Sequence, residues 1–282
     1  GNFVRILDNQ SRGTPEHLMP YINDIELVIG DIRDTSIVKK ACKNIDTVFH
    51  LAFINGTEFF YSKPDQVLDV GVKGIVNITE ASIENNVKEF ILASSSEVYQ
   101  TPPSFPTDET VPLSIPDLLN PRYSYGGGKI ISELITINFG RKFFEKAMVF
   151  RPHNVYGPNM GFEHVIPNFV LRMQKLINES SNSVLNFHIN GTGEETRAFC
   201  FIEDFIDGLI IMYEKGVHLN IYNIGTEDEI SINNLANLIS KYFEKNIKII
   251  PGEILKGSSK RRCPSINKLM KLGFVPKINL EE

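Results

Sequence analysis

No stretch of this sequence approaches the ~18 consecutive apolar residues that a membrane-spanning helix needs, and no basic segment followed by an apolar one marks a leader. A cytoplasmic protein with no membrane partner is the expectation. Cysteine is scarce: Cys42, Cys200 and Cys263 stand far apart and in no paired spacing, which argues against a disulfide framework or a zinc site, and no metal is expected. Positive charge is also in short supply. With 29 Lys and Arg against 34 Asp and Glu, the net charge of −5 argues against a chain whose business is holding nucleic acid. Repeats and low-complexity tracts are missing too. What remains, 42% hydrophobic and 22% charged residues over 282 positions, is an ordinary globular composition for one large or two small domains.

The stretch that organises the chain is Tyr123-Ser124-Tyr125-Gly126-Gly127-Gly128-Lys129-Ile130-Ile131-Ser132-Glu133, at the head of a helix predicted to reach about Glu145. Positions four apart share a helix face, so the Tyr125 hydroxyl and the Lys129 ammonium can serve one site. An ammonium there favours the phenolate and would bring the phenol down from its reference near ~10. Tyr125 is therefore a candidate general base. A surface Tyr and Lys that happen to be four apart is the alternative. The three glycines weigh against it, because each costs a helix roughly 1 kcal/mol relative to alanine. Their presence predicts a close approach to that backbone.

Around this helix the pattern alternates strand and helix. Phe3–Leu7 reads as a strand closed by Asp8-Asn9, and Glu26–Ile29 as another running into Gly30-Asp31-Ile32-Arg33-Asp34. A helix over 35–44, a buried strand over Thr47–Ala52, a long helix over 64–86 and a strand over Lys88–Ala93 follow. That last strand ends in Ser94-Ser95-Ser96-Glu97-Val98-Tyr99, and hydroxyls at the carboxyl end of a parallel strand stand where open α/β sheets bind ligands; a plain serine-rich turn is the rival reading. Beyond Met148–Arg151 and Pro158 the order becomes mixed, with helices over 164–178, 203–214 and 231–243 and strands over 184–189, 196–202 and 221–224. Alternation of this kind is the α/β signature.

Taken in order, the acid-ended strand, Gly-Asp-Ile, His-Leu-Ala, Ser-Ser-Ser-x-Val-Tyr, Tyr-x-x-x-Lys, Arg-x-x-Asn-Val-Tyr-Gly-Pro and Thr-Arg-x-Phe resemble the extended short-chain dehydrogenase/reductases. Within them, the chain resembles the NAD-dependent nucleotide-sugar epimerases and dehydratases. The resemblance implies a Rossmann-type doubly wound parallel sheet in residues 1–158, with a return segment at 197–224. A smaller, mixed α/β substrate-binding part would comprise 159–196 and 225–282. It also implies NAD as cofactor, with Asp8 at the adenosine ribose, Asp31 and Ile32 at the adenine, and Leu51 and Ala52 lining the cofactor. Tyr125 would take the sugar O4 proton, Ser95 would hydrogen-bond O4, and Lys129 would bind the nicotinamide ribose. Glu97 joins them as a candidate catalytic residue. Ser96, Asn154, Arg197 and Arg262 would contact a nucleotide-diphosphate sugar, the two arginines at its pyrophosphate, because guanidinium groups present paired donors.

Departures from the family pattern sharpen this. The dehydratases usually carry Asp-Glu where this chain has Ser96-Glu97, which removes the general acid for expelling water. A C4 epimerase is therefore the first expectation, a decarboxylase acting on UDP-glucuronate or a 4,6-dehydratase the alternative. An NAD sensor or RNA-binding module on the same scaffold is the non-enzyme reading. Gly71 stands where many relatives have Asn, Ser265 where the tail often has Asp, and Gln100 where Gly is common. Gly1 directly precedes what resembles a second Rossmann strand, so the first strand and its glycine-rich turn are missing. In the order 3-2-1-4-5-6 that leaves two unpaired edges, and a fragment of a longer chain is expected. The end at Leu280-Glu281-Glu282 also looks cut. The full-length protein is expected to be a homodimer packed through the helices over 64–86 and 123–145.

Overall fold

Short β-branched runs separated by helical stretches build a parallel sheet in two pieces. The computed structural model describes residues 2–13, 15–180, 182–254 and 256–281; Gly1 and Glu282, the ends remarked on above, lie outside the described residues. Strand β1 (Val4–Asp8) pairs in parallel with β2 (Ile25–Ile29) and with no other strand among the described residues. Asp34 caps helix α1 (Thr35–Ala41) by accepting from the Ser36 and Ile37 N–H groups. Next come β3 (Thr47–His50), α2 (Thr57–Ser62), α3 (Pro64–Leu68), α4 (Gly74–Glu84), β4 (Glu89–Ala93), α5 (Tyr123–Phe143) and β5 (Lys146–Pro152).

Along the central strands alternate residues face opposite ways, as the period of two requires. Phe90 and Leu92 of β4 and Ala147 and Val149 of β5 meet Val38 of α1 and Ile75, Ile78 and Ala81 of α4. Ile91, Met148 and Phe150 face the other way, into a second core with Met212, Leu269 and Phe274. Both faces of the sheet are thus buried under helices, which is the doubly wound arrangement. Leu7 of β1 packs against the first of these cores, so the two-stranded piece shares a helical layer with the larger sheet. The long helix expected over 64–86 is interrupted: residues Asp69–Lys73 form a π-helical turn between α3 and α4. Gly71 is at its centre, for a reason given below.

The remaining elements are β6 (Val155–Tyr156), α6 (Val165–Glu179), β7 (Val184–His188), β8 (Thr196–Ala198), β9 (Cys200–Phe201), α7 (Ile202–Lys215), β10 (Asn220–Ile224), β11 (Glu229–Ser231), α8 (Ile232–Tyr242), β12 (Asn246–Ile250), β13 (Arg261–Arg262) and α9 (Asn267–Met270). Strand β10 returns to the main sheet, giving the parallel order β10-β5-β4-β3. A separate core forms where Phe169 and Met173 of α6 and Leu235 and Ile239 of α8 meet Leu185 and Phe187 of β7. Strand β12, which sequence reading passed over, pairs with β7 and turns Ile247 and Ile249 into this core. Strand β8 sits between β11 and β13, and this small sheet brings Arg197 and Arg262 side by side in register.

Candidate active site at the carboxyl edge of the sheet

β4 ends at Ala93, and the three serines follow at the carboxyl edge. Ser95 is extended, and its Oγ accepts the Glu97 N–H at 3.2 Å, capping the short turn Ser96–Tyr99. The Ser95 side chain also stands beside the Tyr125 hydroxyl, an interaction that favours the phenolate. Helix α5 stacks Tyr125, Lys129 and Glu133 on one face at four-residue spacing, all buried. Each of the three glycines admits a different neighbour. A Cβ at Gly126 would collide with the Gln100 side-chain amide, one at Gly127 would come within 3.1 Å of Ile115, and one at Gly128 within 2.9 Å of the Phe53 ring. The predicted close approach is real, and it comes from the protein's own side chains. Gln100 adopts φ 52° and donates from Nε2 to the Glu97 carbonyl at 2.5 Å, so at this left-handed position a side-chain amide replaces the freedom of the more usual glycine.

The electrostatics correct one expectation. Tyr125 stacks on Phe60 with ring centroids 4.5 Å apart and meets Phe53 edge-on at 5.1 Å. Burial in this aromatic box pushes the phenol up to about 12, although the Ser95 hydrogen bond opposes it. Lys129 does not bring it down. Its Nζ donates to the Ala93 carbonyl at 2.7 Å and lies 4.1 Å from the centre of the Phe53 ring, and burial lowers its own pKa to about 7 against the opposing charge of Glu133. The shared helix face is as expected, but the ammonium is tied to the strand end.

Glu97 is buried among cations. Arg262 donates to it at 2.7 Å and Arg122 at 3.3 Å. Burial pushes its carboxyl up, but Arg262, Arg122 and Arg197 together hold it below the ordinary glutamate value. Glu97, the candidate catalytic carboxylate, is thus held in place by two guanidinium groups. Arg197 donates to the backbone carbonyls of Thr196 and Ser259, and burial beside Arg262 lowers it to about 10. Three guanidinium groups therefore converge on one carboxylate, and the Arg122 Nε is buried with no partner. Such a surplus of buried positive charge calls for an anion. Arg122, one helical turn before Tyr125, was missed in the sequence, although its spacing could have marked it.

A second buried set was also missed. Arg151, 2% exposed, grips Glu133 through Nε and a terminal nitrogen at 2.9 and 2.6 Å, and donates to the Tyr99 hydroxyl at 2.7 Å. Ser94 donates to Glu133, Tyr99 donates to Asn223, and His153 Nε2 meets the same Asn223 oxygen at 3.1 Å. This chain of bonds ties the serine loop, α5, β5 and β10 together behind Tyr125 and Lys129. His153 is thus part of this buried chain of bonds.

The residues assigned to the cofactor line the carboxyl ends of β1 to β3. Asp8 is exposed and accepts the Gln10 N–H at 2.5 Å. Asp31 takes a paired contact from Arg33, which holds its carboxyl well below the usual range. The Ile32 side chain faces the core and its carbonyl accepts from Asn77. Leu51 is 58% exposed beside half-buried Ala52. On the opposite side, Ser96 is buried, and Asn154 spends its amide nitrogen on the Ala198 carbonyl at 2.9 Å while adopting φ 39°. His164 neighbours Glu163, which pairs with Arg12 across the cleft.

The NAD dependent epimerase/dehydratase family model matches residues 2–225. The chain belongs to this family. Similar to it is a UDP-glucuronic acid decarboxylase of Arabidopsis thaliana, 27% identical over 290 residues that cover 100% of this chain and 61% of that protein. The chain thus spans less than two thirds of that relative. A UDP-glucose 4-epimerase of Thermotoga maritima, solved with UDP-glucose, superposes with a TM-score of 0.85 at 26% identity, covering 100% of this chain and 88% of that one. A dTDP-glucose 4,6-dehydratase of Streptomyces venezuelae shares the fold with a TM-score of 0.86 at 21% identity, covering 99% and 84%.

Proposed function

We propose that this chain carries the catalytic face of an NAD-dependent enzyme that oxidises a nucleotide-linked uronic acid at C4 and releases its carboxyl group as carbon dioxide. The observation that carries this reading is the cluster of buried Arg122 with half-buried Arg197 and Arg262 around a single Glu97, next to the Ser95–Tyr125 pair. A nucleotide uronate brings a pyrophosphate and a carboxylate, and the surplus cationic charge suits such a polyanion. The likeness to a UDP-glucuronic acid decarboxylase along the whole chain supports the same choice.

NAD, when bound, would take the C4 hydride and later return it. The protein's part follows from its side chains. The residues present fit the cofactor: Asp8 presents an exposed carboxylate to a ribose diol, and Lys129 carries a buried ammonium with donors to spare beyond the Ala93 carbonyl. Tyr125, relayed by Ser95, accepts the O4 proton as the C4 ketone forms. The sugar is then a β-keto acid. Its C5–C6 bond breaks, the electron pair moves onto O4, and the Tyr125 and Ser95 hydroxyls hold that oxygen as carbon dioxide departs. A proton added at C5 completes the step. Ser96 supplies no carboxylic acid for expelling water, which disfavours dehydration. Epimerisation at C4, the first expectation from sequence, needs the same base and a sugar that turns over in the site.

The test is incubation with NAD and a panel of nucleotide sugars that includes UDP-glucuronate, followed by mass and NMR. Loss of carbon dioxide is the expected outcome. Unchanged mass with inverted C4 restores the epimerase, loss of water the dehydratase, and no change on any sugar favours a binding module.

A further inference from the structure

Phe53 follows β3 in an irregular segment, yet its ring is closely seated against Lys129. Its face covers the ammonium at 4.1 Å and its edge meets Tyr125 at 5.1 Å. The seat is made by two missing side chains. The three atoms nearest to a Cβ built on Gly71 are all in the Phe53 ring, well inside contact distance, and those nearest to a Cβ on Gly128 are in the same ring. Two glycines from separate helical segments therefore form a notch shaped for this one ring. Lys129 is 2% exposed as a result, its Nζ bonded to the Ala93 carbonyl.

We propose that Phe53 is a movable cover on Lys129, parked in the Gly71–Gly128 notch, and that it swings off the ammonium before a ribose hydroxyl of the cofactor reaches Lys129. The role given to the ribose rests on the NAD reading above; the cover itself does not. Phe53 belongs to no helix or strand and is half-buried, so a change of its χ1 frees the ring without disturbing the sheet. The covered state then subtracts from cofactor affinity by the fraction of molecules that are open.

The test reads Lys129 directly. Acetic anhydride acylates neutral amines, and burial keeps Lys129 near a pKa of about 7, so only access limits it. Acylation is measured by peptide mass spectrometry with exposed Lys175 as the internal standard, in wild type, Phe53→Ala, Gly71→Ala and the double variant. Gly71→Ala leaves Phe53 in place but evicts its ring. Each single variant is expected to speed Lys129 acylation about tenfold, and Gly71→Ala is expected to add nothing in the Phe53→Ala background. The thiols of Cys42, Cys200 and Cys263, all buried, must stay unreactive, which shows that each variant is folded. No acceleration in either folded single variant, or an equal gain from Gly71→Ala when Phe53 is absent, overturns the cover. NAD is then added to each. Protection of Lys129 supports the cofactor role, while faster labelling without protection keeps the cover and removes NAD from it.

Discussion

Replacing Glu133 with Gln keeps the shape of the side chain and removes the one carboxylate paired with Arg151. The guanidinium is then left 2% exposed with neutral partners only, in the middle of the sheet. Breaking a buried ion pair from one side costs about 3–5 kcal/mol, because the remaining charge stays desolvated. With an m-value of about 3 kcal/mol/M, the urea midpoint falls by about 1–1.7 M. Circular dichroism across a urea series measures it. The paired replacement Glu133→Leu with Arg151→Met removes both charges and is expected to recover most of the loss, because an apolar pair of similar volume substitutes well for a buried ion pair. A Glu133→Gln midpoint within error of wild type, or a paired variant no better than the single one, refutes the reasoning. The same variant reaches the site: Glu133 is the charge that opposes burial at Lys129, so its removal shifts the midpoint of Lys129 acylation below about 7.

Acid stability turns on two imidazoles. Burial holds His50 and His153 at about 3, whereas the unfolded chain titrates them near 6.5, so between those values the unfolded state binds more protons and stability falls as pH falls. Each contributes a slope of about 1.4 kcal/mol per pH unit in that window; urea midpoints at pH 7, 6 and 5 check it, and a flat series contradicts it. Helix α5 also leaves Leu134, Phe139 and Phe143 exposed, and a second copy is expected to pack against this helix. Sedimentation of wild type and Leu134→Glu is expected to show dimer and monomer respectively, and a monomeric wild type removes the idea.

Local periodicity made the helix from Tyr123 readable, along with the strand ends at Asp8, Asp31 and Ser95. These features depend on residues within one or two turns of each other. Extending the four-residue spacing by one more step, from Tyr125 and Lys129 to Glu133, would have found the acid that balances the lysine. What pairs with that acid was not readable: Arg151 is on another strand, and its further partners Tyr99 and Asn223 are on segments the fold alone brings together. Arg262 and Glu97 likewise meet only in the fold, on segments far apart in the sequence. Gly71 was visible as an oddity in the sequence. Its meaning was hidden because Phe53, 18 positions earlier by subtraction, shows no periodic relation to it until the π turn faces the end of β3.

These features combine into an account of when Tyr125 can act. In the covered site the phenol stays protonated up to about 12, and Lys129 loses its charge around 7, both mainly because the Phe53 and Phe60 rings and the surrounding core keep water away. The protonated phenol cannot serve as a base at neutral pH. When Phe53 leaves, water or a ribose hydroxyl reaches the ammonium and relieves the cause that lowers its pKa, so Lys129 becomes a cation again. Its Nζ lies 5.8 Å from the Tyr125 ring, close enough for that restored charge to favour the phenolate. Arming the base is thus linked to uncovering the lysine. On this argument the acylation midpoint of Lys129 in Phe53→Ala lies above the wild-type value, because relief of desolvation outweighs the lost contact with the ring.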